Sequence, residues 1–254
     1  LSFALGIDFV IGELTVDVSN PYETSELLGE YMLFHYGSDE DVMPWANGPK
    51  EGVGFAERTV SELIDPATLG TEACGLDVGC AVGRSTFELT RFCSRVKGID
   101  LSSSFIETAN RLVEQGRHEY GFLEEGDLFR KAVAIVSPDQ RAKAEFEVAD
   151  ACDLPPGLGS FEVVHAANLL CRLPKPDLFL NNLPNLVKPG GQLLLATPFT
   201  WLEEFTPREK WLGSGDSEEA LTRALSPFFE LEERKELPFV IREHRRKFQF
   251  SVSL

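Results

Sequence analysis

The chain has 254 residues, of which 43% are hydrophobic and 26% charged. These values suit one globular domain of α/β type with additions. Because 41 Asp and Glu residues outnumber 24 Lys and Arg residues, the formal net charge is −17, which disfavours nucleic acid and anionic membrane surfaces as partners and leaves a small-molecule substrate as the expectation.

No apolar run approaches the roughly 20 residues that cross a bilayer. Residues 1–14 are apolar but lack the basic start and small-residue cleavage site of a signal peptide. The five cysteines are scattered without a C-x-x-C pair, so neither a metal site nor a disulfide framework is predicted. These features predict a cytoplasmic protein with no membrane partner.

The first 65 residues precede any predicted sheet. Residues 1–19 alternate weakly and predict an arm or a short strand. The stretch "NPYETSELLGEYMLFHYG" at 20–37 predicts a helix with Asn20 as N-cap and Gly37 as its end. A polar loop at 37–54 and a second helix at 56–65 follow. We expect residues 1–70 to form an arm and a helical cap on the substrate side.

The following pattern alternates strands and helices, which indicates a doubly wound parallel sheet. Strands are predicted at 72–79, 95–101, 144–151, 161–168 and 190–198, and helices at 84–93, 103–116 and 178–187. The tail, at 228–237 and 242–252, predicts an antiparallel hairpin with its turn near Pro238. The predicted core therefore spans 71–254, with an insertion at 117–143 that has no assigned element.

The first predicted strand runs into the glycine-rich turn "GLDVGCAVGRST" at 75–86. Gly79 permits a tight turn, and Gly83 permits close approach of the backbone at the start of the next helix. Asp100 follows Gly79 by 21 residues at the end of the second strand, a spacing suited to an acid that accepts both hydroxyls of a ribose. The pattern predicts a nucleotide-like cofactor.

A dinucleotide is a poor fit to this turn. The fingerprint G-x-G-x-x-G would have its third and sixth positions at Ala81 and Arg84. Asp77, two residues before the first glycine, would repel a pyrophosphate but favour an ammonium or sulfonium group. S-adenosylmethionine has both groups, a free ribose and no phosphate, and is the predicted cofactor, with S-adenosylhomocysteine as product.

Four segments resemble class I methyltransferases in order and spacing. "LDVGCAVGRSTFELTRF" and "VKGIDLSSSFIETA" resemble motifs I and II, "ADACDLPPGLGSFEVVHAANLLCRL" resembles the adenine loop and fourth strand, and "LVKPGGQLLLATP" resembles the turn into the fifth strand. The resemblance implies a Rossmann-like α/β fold with a seven-stranded, mostly parallel sheet, a C-terminal antiparallel hairpin and an N-terminal helical cap. The cofactor-binding residues it implies are Asp77, Gly79, Cys80, Ala81, Gly83, Asp100, Leu101, Asp150, Ala151 and Cys152. Purely structural alternatives are a strand-end cap for Asp77 and a helix N-cap for Asp100.

The segments at 20–37, 197–213 and 237–250 resemble a narrower family, the methyltransferases of ovothiol biosynthesis. That resemblance implies methylation of an imidazole ring nitrogen of 5-thiohistidine. It also implies fusion to, or cooperation with, an iron-dependent sulfoxide synthase, since the family occurs both as a C-terminal domain behind that enzyme and as a separate protein.

Such a substrate requires donors for its thiolate, an acceptor for its far ring nitrogen and an arginine for its carboxylate. Asn168, Tyr36 and Glu23 are the candidate catalytic residues. His35 is a further candidate, whereas Tyr31 and Phe34 are expected in the core. Candidate substrate-binding residues are Asn20, Tyr22, Glu23, Tyr36, Asn168, Phe199 and Arg242, the last in the loop between the final two strands.

Three other functions are compatible with parts of the pattern. One is methylation of another small amine, imidazole or thiol. Another is a non-catalytic cofactor-binding module of a larger synthase, which the intact set of Asp77, Gly79 and Asp100 disfavours. A nicotinamide oxidoreductase shares the fold class and is disfavoured by the mismatched glycine pattern.

Overall fold

The computed structural model of the chain describes residues 21–213 and 215–254. The strands in these residues are β1 (Cys74–Val78), β2 (Arg95–Asp100), β3 (Arg117–Glu125), β4 (Leu128–Ile135), β5 (Ala144–Val148), β6 (Phe161–Ala167), β7 (Val187–Ala196), β8 (Leu237–His244) and β9 (Lys247–Ser253). The helices are α1 (Ser25–Tyr36), α2 (Asp39–Val42), α3 (Phe55–Ser61), α4 (Arg84–Leu89), α5 (Ser103–Gln115), α6 (Pro138–Arg141), α7 (Pro176–Leu186) and α8 (Ser217–Leu225).

The central sheet has five parallel strands in the order β5-β2-β1-β6-β7. The mostly parallel sheet predicted from the sequence is thus confirmed, but the predicted count of seven strands is wrong. The last two strands, β8 and β9, pair with each other in a separate antiparallel sheet. Two backbone hydrogen bonds between Thr197 and Leu254, of 2.9 and 3.0 Å, join the end of the chain to the segment that follows β7.

Side-chain alternation along the strands sorts the core onto two faces of the sheet. Leu76 and Val78 of β1, with Val164 of β6, pack in one cluster with the apolar side of α7. Val163 of β6 packs in another cluster with Val60 of α3 and with part of α4. Helices therefore cover both faces, as an all-parallel sheet requires.

The insertion between α5 and β5 contains a hairpin that was not predicted from the sequence. Strands β3 and β4 pair antiparallel over almost their whole length. Tyr120 and Phe122 point inward to Met32 and Leu33 of α1, whereas the outer face is polar or exposed, so the hydrophobic signal of each strand was weak. The insertion supports the first helix.

The C-terminal hairpin is confirmed, but its predicted turn is wrong. Pro238 lies within β8 opposite Val252, and the chain reverses at Arg245 and Arg246. Proline is tolerated in a strand where its nitrogen faces away from a partner strand. Residues 228–236 form no strand.

The predicted helical cap is present in the described residues, with different boundaries. Residues Pro21–Glu23 form a 3₁₀ turn and Thr24 is the N-cap of α1, its hydroxyl accepting from the amide of Leu27 at 3.3 Å. The predicted N-cap Asn20 lies outside the described residues. Gly37 ends α1 as predicted, and α3 ends at Ser61 rather than at 65.

The cap packs against the core at several places. Helix α1 contacts β3 and β8, and α3 contacts α4 and β8. The domain boundary near residue 70 stays a prediction. No helix in the described ranges is long and apolar enough to cross a membrane.

We predict that Gly29→Ala in α1 destabilises the protein. A Cβ at Gly29 would lie 2.3 Å from the carbonyl oxygen of Gly121 in β3, and the overpacking outweighs the gain of about 1 kcal/mol in helix propensity, for a net loss of about 1–2 kcal/mol. Urea denaturation measures the loss. Gly70→Ala, where a Cβ meets nothing within 4 Å, is the control. Equal stabilities of the two variants would contradict the close packing of α1 on the hairpin.

Candidate active site

A cavity of about 390 Å³ opens at the carboxyl ends of the parallel strands, where α/β proteins bind their ligands. The sheet and its following turns contribute Val78, Gly79, Ala81, Ser85, Asp100, Leu101, Ser102, Ala149, Asp150, Ala151, Asn168 and Leu169. The cap, the tail and the loops after β6 and β7 contribute Tyr22, Tyr31, Phe34, His35, Phe55, Arg172, Pro198, Thr200, Leu202, Phe239, Ile241 and Gln249, among others.

The glycine turn follows β1 and is shaped by left-handed backbone. Gly79 has φ of 74°, and a Cβ there would lie 2.9 Å from the side chain of Leu169. Ala81 also has positive φ, and its amide donates to Asp100 at 2.9 Å. Gly83 has φ of 88° but faces the ring of Phe146, which would lie 2.6 Å from a Cβ at this position. Gly83 therefore serves packing, and it does not line the cavity.

Asp100 ends β2 with its carboxylate at the cavity. One oxygen accepts from the amide of Ala81 and the other from the amide of Ser102, both at 2.9 Å. Burial raises the pKa of Asp100 to about 6 although both amides lower it. Each carboxylate oxygen keeps a lone pair for a further donor, so Asp100 fits the predicted role of ribose acceptor.

Asp77 does not lie at the cavity, where the predicted contact with the cofactor would place it. It is fully buried and does not line the cavity. One oxygen accepts from the hydroxyls of Ser85 at 2.7 Å and Thr86 at 2.6 Å, and the other contacts Nδ1 of His165 at 2.7 Å. Burial raises the pKa of Asp77, but His165 and the hydroxyl donors together lower it to below its ordinary value. The hydrogen bonds of this carboxylate are made within the protein, so the structure does not bring Asp77 to the cavity as predicted.

Three of the residues predicted to contact an adenine line the cavity. Leu101 is 58% exposed at the cavity, and Asp150 and Ala151 line it with Leu101. The amide of Cys152 donates to Asp150 at 2.7 Å. Cys152 and the fully buried Cys80 do not line the cavity.

An aromatic wall formed by Tyr22, Tyr31, Phe34, Phe105 and Phe239 faces these polar residues. The ring of Tyr22 lies 5.9 Å from that of Tyr31, edge to face, and Tyr31 lies 4.8 Å from Phe105. Burial raises the pKa of both tyrosines, so their hydroxyls stay protonated at neutral pH. The wall suits a flat ligand.

His35 lies between two cavities. It lines the main cavity and also a smaller one of about 250 Å³ beside Tyr36, Glu57 and Arg84. Burial lowers the pKa of His35 to about 4, and its Nδ1 is shielded without a hydrogen-bond partner in the described residues. The imidazole is therefore neutral at physiological pH and adds no positive charge to the site.

Two predicted substrate residues in the described ranges, Tyr22 and Asn168, line the main cavity. Asn168 follows β6 with φ of 55°, a left-handed conformation that asparagine tolerates. Its Oδ1 accepts from the hydroxyl of Ser253 at 2.6 Å. Its side-chain NH₂ group makes no hydrogen bond with the described residues and is available to a ligand.

The other predicted substrate residues lie elsewhere. Glu23 accepts from the amides of Ser103 and Ser104 at the start of α5. The hydroxyl of Tyr36 donates to the carbonyl of Val82 at 2.8 Å, in the glycine turn. Phe199 has φ of 53° and does not line the cavity. Asn20 lies outside the described residues.

The predicted position of Arg242 is wrong. It lies within β8 rather than in a loop, and it is 3% exposed. Its guanidinium pairs with Glu124 at 2.5 Å and donates to the carbonyl of Asp41. Because the hairpin turn lies further along the chain than the sequence indicated, Arg242 faces the insertion hairpin and not the cavity.

Several lining residues were missed or assigned to another role. Tyr31 and Phe34 were expected in the core, yet they line the cavity with His35. Their spacing on α1 places these three rings on one face, which was the available signal. Phe55 and Phe239 come together only through the tertiary fold, so no local pattern could identify them. Within the described residues, no group of three His, Cys, Asp or Glu side chains is placed to hold a metal ion.

Part of the chain is similar in sequence to known methyltransferases. Residues 76–195 match a family described as a methyltransferase domain. The O-methyltransferase cnsE of Penicillium expansum is 30% identical over 188 residues, which are 73% of this chain and 57% of that protein. Methyltransferase GfsG of Streptomyces halstedii is 27% identical over 164 residues, 64% of this chain and 49% of that protein.

The chain thus spans about half the length of the curated relatives it matches. Among solved structures, the crystal structure of MccD protein is similar with a TM-score of 0.50 at 19% identity, over 71% of this chain and 73% of that one. At that identity the likeness concerns the fold alone.

We predict that Asp77→Asn lowers the free energy of unfolding by about 3 kcal/mol, because it removes the charge that His165 and two hydroxyls surround in the interior. Urea denaturation at pH 7 measures the change. Asp139→Asn, at an exposed position in α6, serves as control. A loss no larger than that of the control would show that the buried network is not needed.

We predict that the affinity for S-adenosylhomocysteine falls as the pH drops through about 6, the pKa to which burial raises Asp100. Protonation removes the acceptor for the ribose, so binding at pH 5 is about 10-fold weaker than at pH 7. Titration calorimetry across this range measures the effect. Asp100→Asn binds weakly without this pH dependence, and an unchanged slope in that variant would exclude Asp100 as its origin.

Proposed function

We propose that this protein, whose residues 76–195 match a methyltransferase domain, methylates an imidazole ring nitrogen of 5-thiohistidine to give ovothiol A. The synthase that makes the thiolated histidine, an iron-dependent sulfoxide synthase, is the proposed partner. The methyltransferase domain itself uses S-adenosylmethionine. When bound, this cofactor supplies a methyl group activated by the positive charge on its sulfur.

The residues at the strand ends fit this cofactor. Asp100 is a cavity-lining carboxylate with lone pairs for ribose hydroxyls, and Leu101 and Asp150, which line the same cavity, are proposed to hold the adenine ring. Glycine is required at position 79 because a Cβ there would clash with the side chain of Leu169. No phosphate-binding cluster of basic side chains lines the described part of the cavity, which suits a cofactor without phosphate.

One observation supports the specific substrate most strongly. The three segments whose sequences resemble the ovothiol methyltransferases are far apart in the chain, yet each contributes to the same cavity. Tyr22 and Tyr31 come from residues 20–37, and Thr200 comes from residues 197–213. Phe239 and Gln249 come from residues 237–250. We expect segments that resemble one family and converge on one cavity to recognise the substrate of that family.

The chemistry of the wall agrees with a thiol-bearing imidazole. Tyr22 and Tyr31 share a side-chain hydrogen bond and remain protonated because burial raises the pKa of both, so this pair of hydroxyls is proposed to donate to a bound thiolate. A thiolate held by such donors is a weaker nucleophile, which leaves the ring nitrogen to react. Since burial lowers the pKa of His35 and keeps it neutral, the site has no added cation there to oppose the sulfonium.

Asn168 is the proposed catalytic residue on the sheet side. Its free NH₂ group lies at the end of β6 beside the cavity, where it can orient the substrate. Tyr36 and Glu23 are proposed to act by positioning, because their polar atoms hold the glycine turn and the start of α5. Orientation of the nucleophile is the main contribution that methyl transfer requires from a protein.

A second candidate function is methylation of an oxygen nucleophile. It is favoured by the similarity of this chain to proteins described as O-methyltransferases, namely cnsE and the ubiquinone biosynthesis O-methyltransferases. Those proteins share the cofactor domain with this chain over part of their length. A phenol would also fit an aromatic wall, so a direct comparison of nitrogen and oxygen substrates separates the two functions.

We predict that the protein, S-adenosylmethionine and 5-thiohistidine under reducing conditions yield a product with one added methyl group whose thiol still reacts with an alkylating agent. Mass spectrometry measures it. Histidine tests the need for the thiol, and catechol tests oxygen as the nucleophile. Methylation of catechol alone would favour the second candidate, and methylation of the sulfur would contradict nitrogen selectivity.

A further inference from the structure

We infer that Arg172 binds a carboxylate of the substrate, so that the cavity selects amino-acid ligands over neutral or purely cationic ones. The identity of the substrate in this inference rests on the proposed function. The position of Arg172 replaces the one expected for Arg242, whose guanidinium is engaged by Glu124. No role for Arg172 was predicted from the sequence.

The guanidinium of Arg172 is held by the backbone around the cavity. The residue ends the 3₁₀ turn Leu170–Arg172 that follows β6. Its Nη1 donates to the carbonyl oxygens of Cys171 at 3.0 Å and Thr200 at 2.6 Å. The group also lies 5.3 Å from the ring centre of Phe205. These contacts fix its plane before any ligand binds.

One edge of this guanidinium remains available. Nη2 makes one contact, of 3.3 Å, to the hydroxyl of Thr200. In the described chain, Nε of Arg172 has no hydrogen-bond partner and no carboxylate lies within ion-pair distance of the guanidinium. The Nε and Nη2 edge of arginine matches the two oxygens of a carboxylate. A fixed cation with this edge free is suited to bind an anion from outside.

The charges around the cavity indicate which anion belongs there. Arg172 is the single arginine or lysine among the described residues that line it. Its charge acts on the aromatic wall, since it lowers the pKa of Tyr22 and Tyr31 against the larger effect of burial. On the side of the glycine turn, the positive charge that lowers the pKa of His35 is that of Arg84, which is paired with Glu57. The guanidinium of Arg172 lies over the ring of Phe205, whose centre is 6.0 Å from that of Tyr22, so Arg172 lies beside the aromatic wall.

This placement explains how an acidic protein admits an amino acid. Asp100 and Asp150 also line the cavity, and alone they would repel a carboxylate. Arg172 compensates for this repulsion at one point and thereby fixes which end of the ligand enters there. A ligand with a carboxylate pairs with the guanidinium edge of Arg172, whereas a phenol leaves that edge unpaired.

The test measures binding of 5-thiohistidine and of its decarboxylated analogue, 5-thiohistamine, to the protein loaded with S-adenosylhomocysteine. Calorimetry should show tighter binding of the carboxylate-bearing ligand to the wild type. Arg172→Gln should weaken 5-thiohistidine binding about 30-fold, the effect of losing a charge-assisted pair. It should change the binding of 5-thiohistamine and of S-adenosylhomocysteine by less than about 3-fold.

Two further variants complete the design. Arg172→Lys keeps the charge without the two-pronged edge, and an intermediate loss of about 10-fold is expected. Arg208→Gln removes a guanidinium that lies 5.2 Å from the ring of Trp211 and outside the cavity, and it should bind both ligands as the wild type does.

The result that overturns the inference is a wild type without preference for the carboxylate, or an Arg172→Gln variant that weakens both ligands or the cofactor product equally. Product formation is scored separately. Carboxylate-dependent binding without a methylated product would remove the proposed function and leave the role of Arg172. Methylated product without carboxylate-dependent binding would remove the role of Arg172 and leave the proposed function.

Discussion

A buried carboxylate is the contact on which the geometry of this site depends. Asp77 in β1 accepts hydrogen bonds from Ser85 and Thr86 of α4 and pairs with His165 of β6, whose other ring nitrogen contacts Thr59 of α3 at 3.0 Å. A carboxylate without these partners would be costly in the interior. The network therefore holds the glycine turn, two neighbouring strands and the cap in one arrangement, and the cavity lies beside it.

Around that network, two acids near the same turn have separate tasks. Asp77 is enclosed and holds the protein together. Asp100 accepts hydrogen bonds from two backbone amides of the turns, and its carboxylate still lines the cavity. The same division applies to the arginines. Arg242 joins β8 to the insertion hairpin through Glu124, and Arg172 keeps an unpaired edge at the cavity. Residue type alone does not separate such roles, because the partners decide them.

The parallel core and its cofactor turn were predictable from sequence, because strand hydrophobicity, glycine spacing and Asp100 are local signals. Prediction failed where partners come from distant segments. The turn of the last hairpin was placed near Pro238, so Arg242 was assigned to the wrong surface. The number of strands in the central sheet was not predictable, because β8 and β9 have the sequence pattern of strands in that sheet but pair only with each other. Phe55 and Phe239 reach the cavity through tertiary packing alone.

The site described above requires S-adenosylmethionine to bind with its ribose at Asp100 while Asp77 remains enclosed. A crystal structure of the protein with S-adenosylhomocysteine tests this requirement most directly. We expect both ribose hydroxyls within hydrogen-bond distance of the Asp100 carboxylate, the adenine beside Leu101 and Asp150, and an intact contact between Asp77 and His165. A cofactor product bound away from Asp100, or an Asp77 that leaves His165 to contact the ligand, would contradict it.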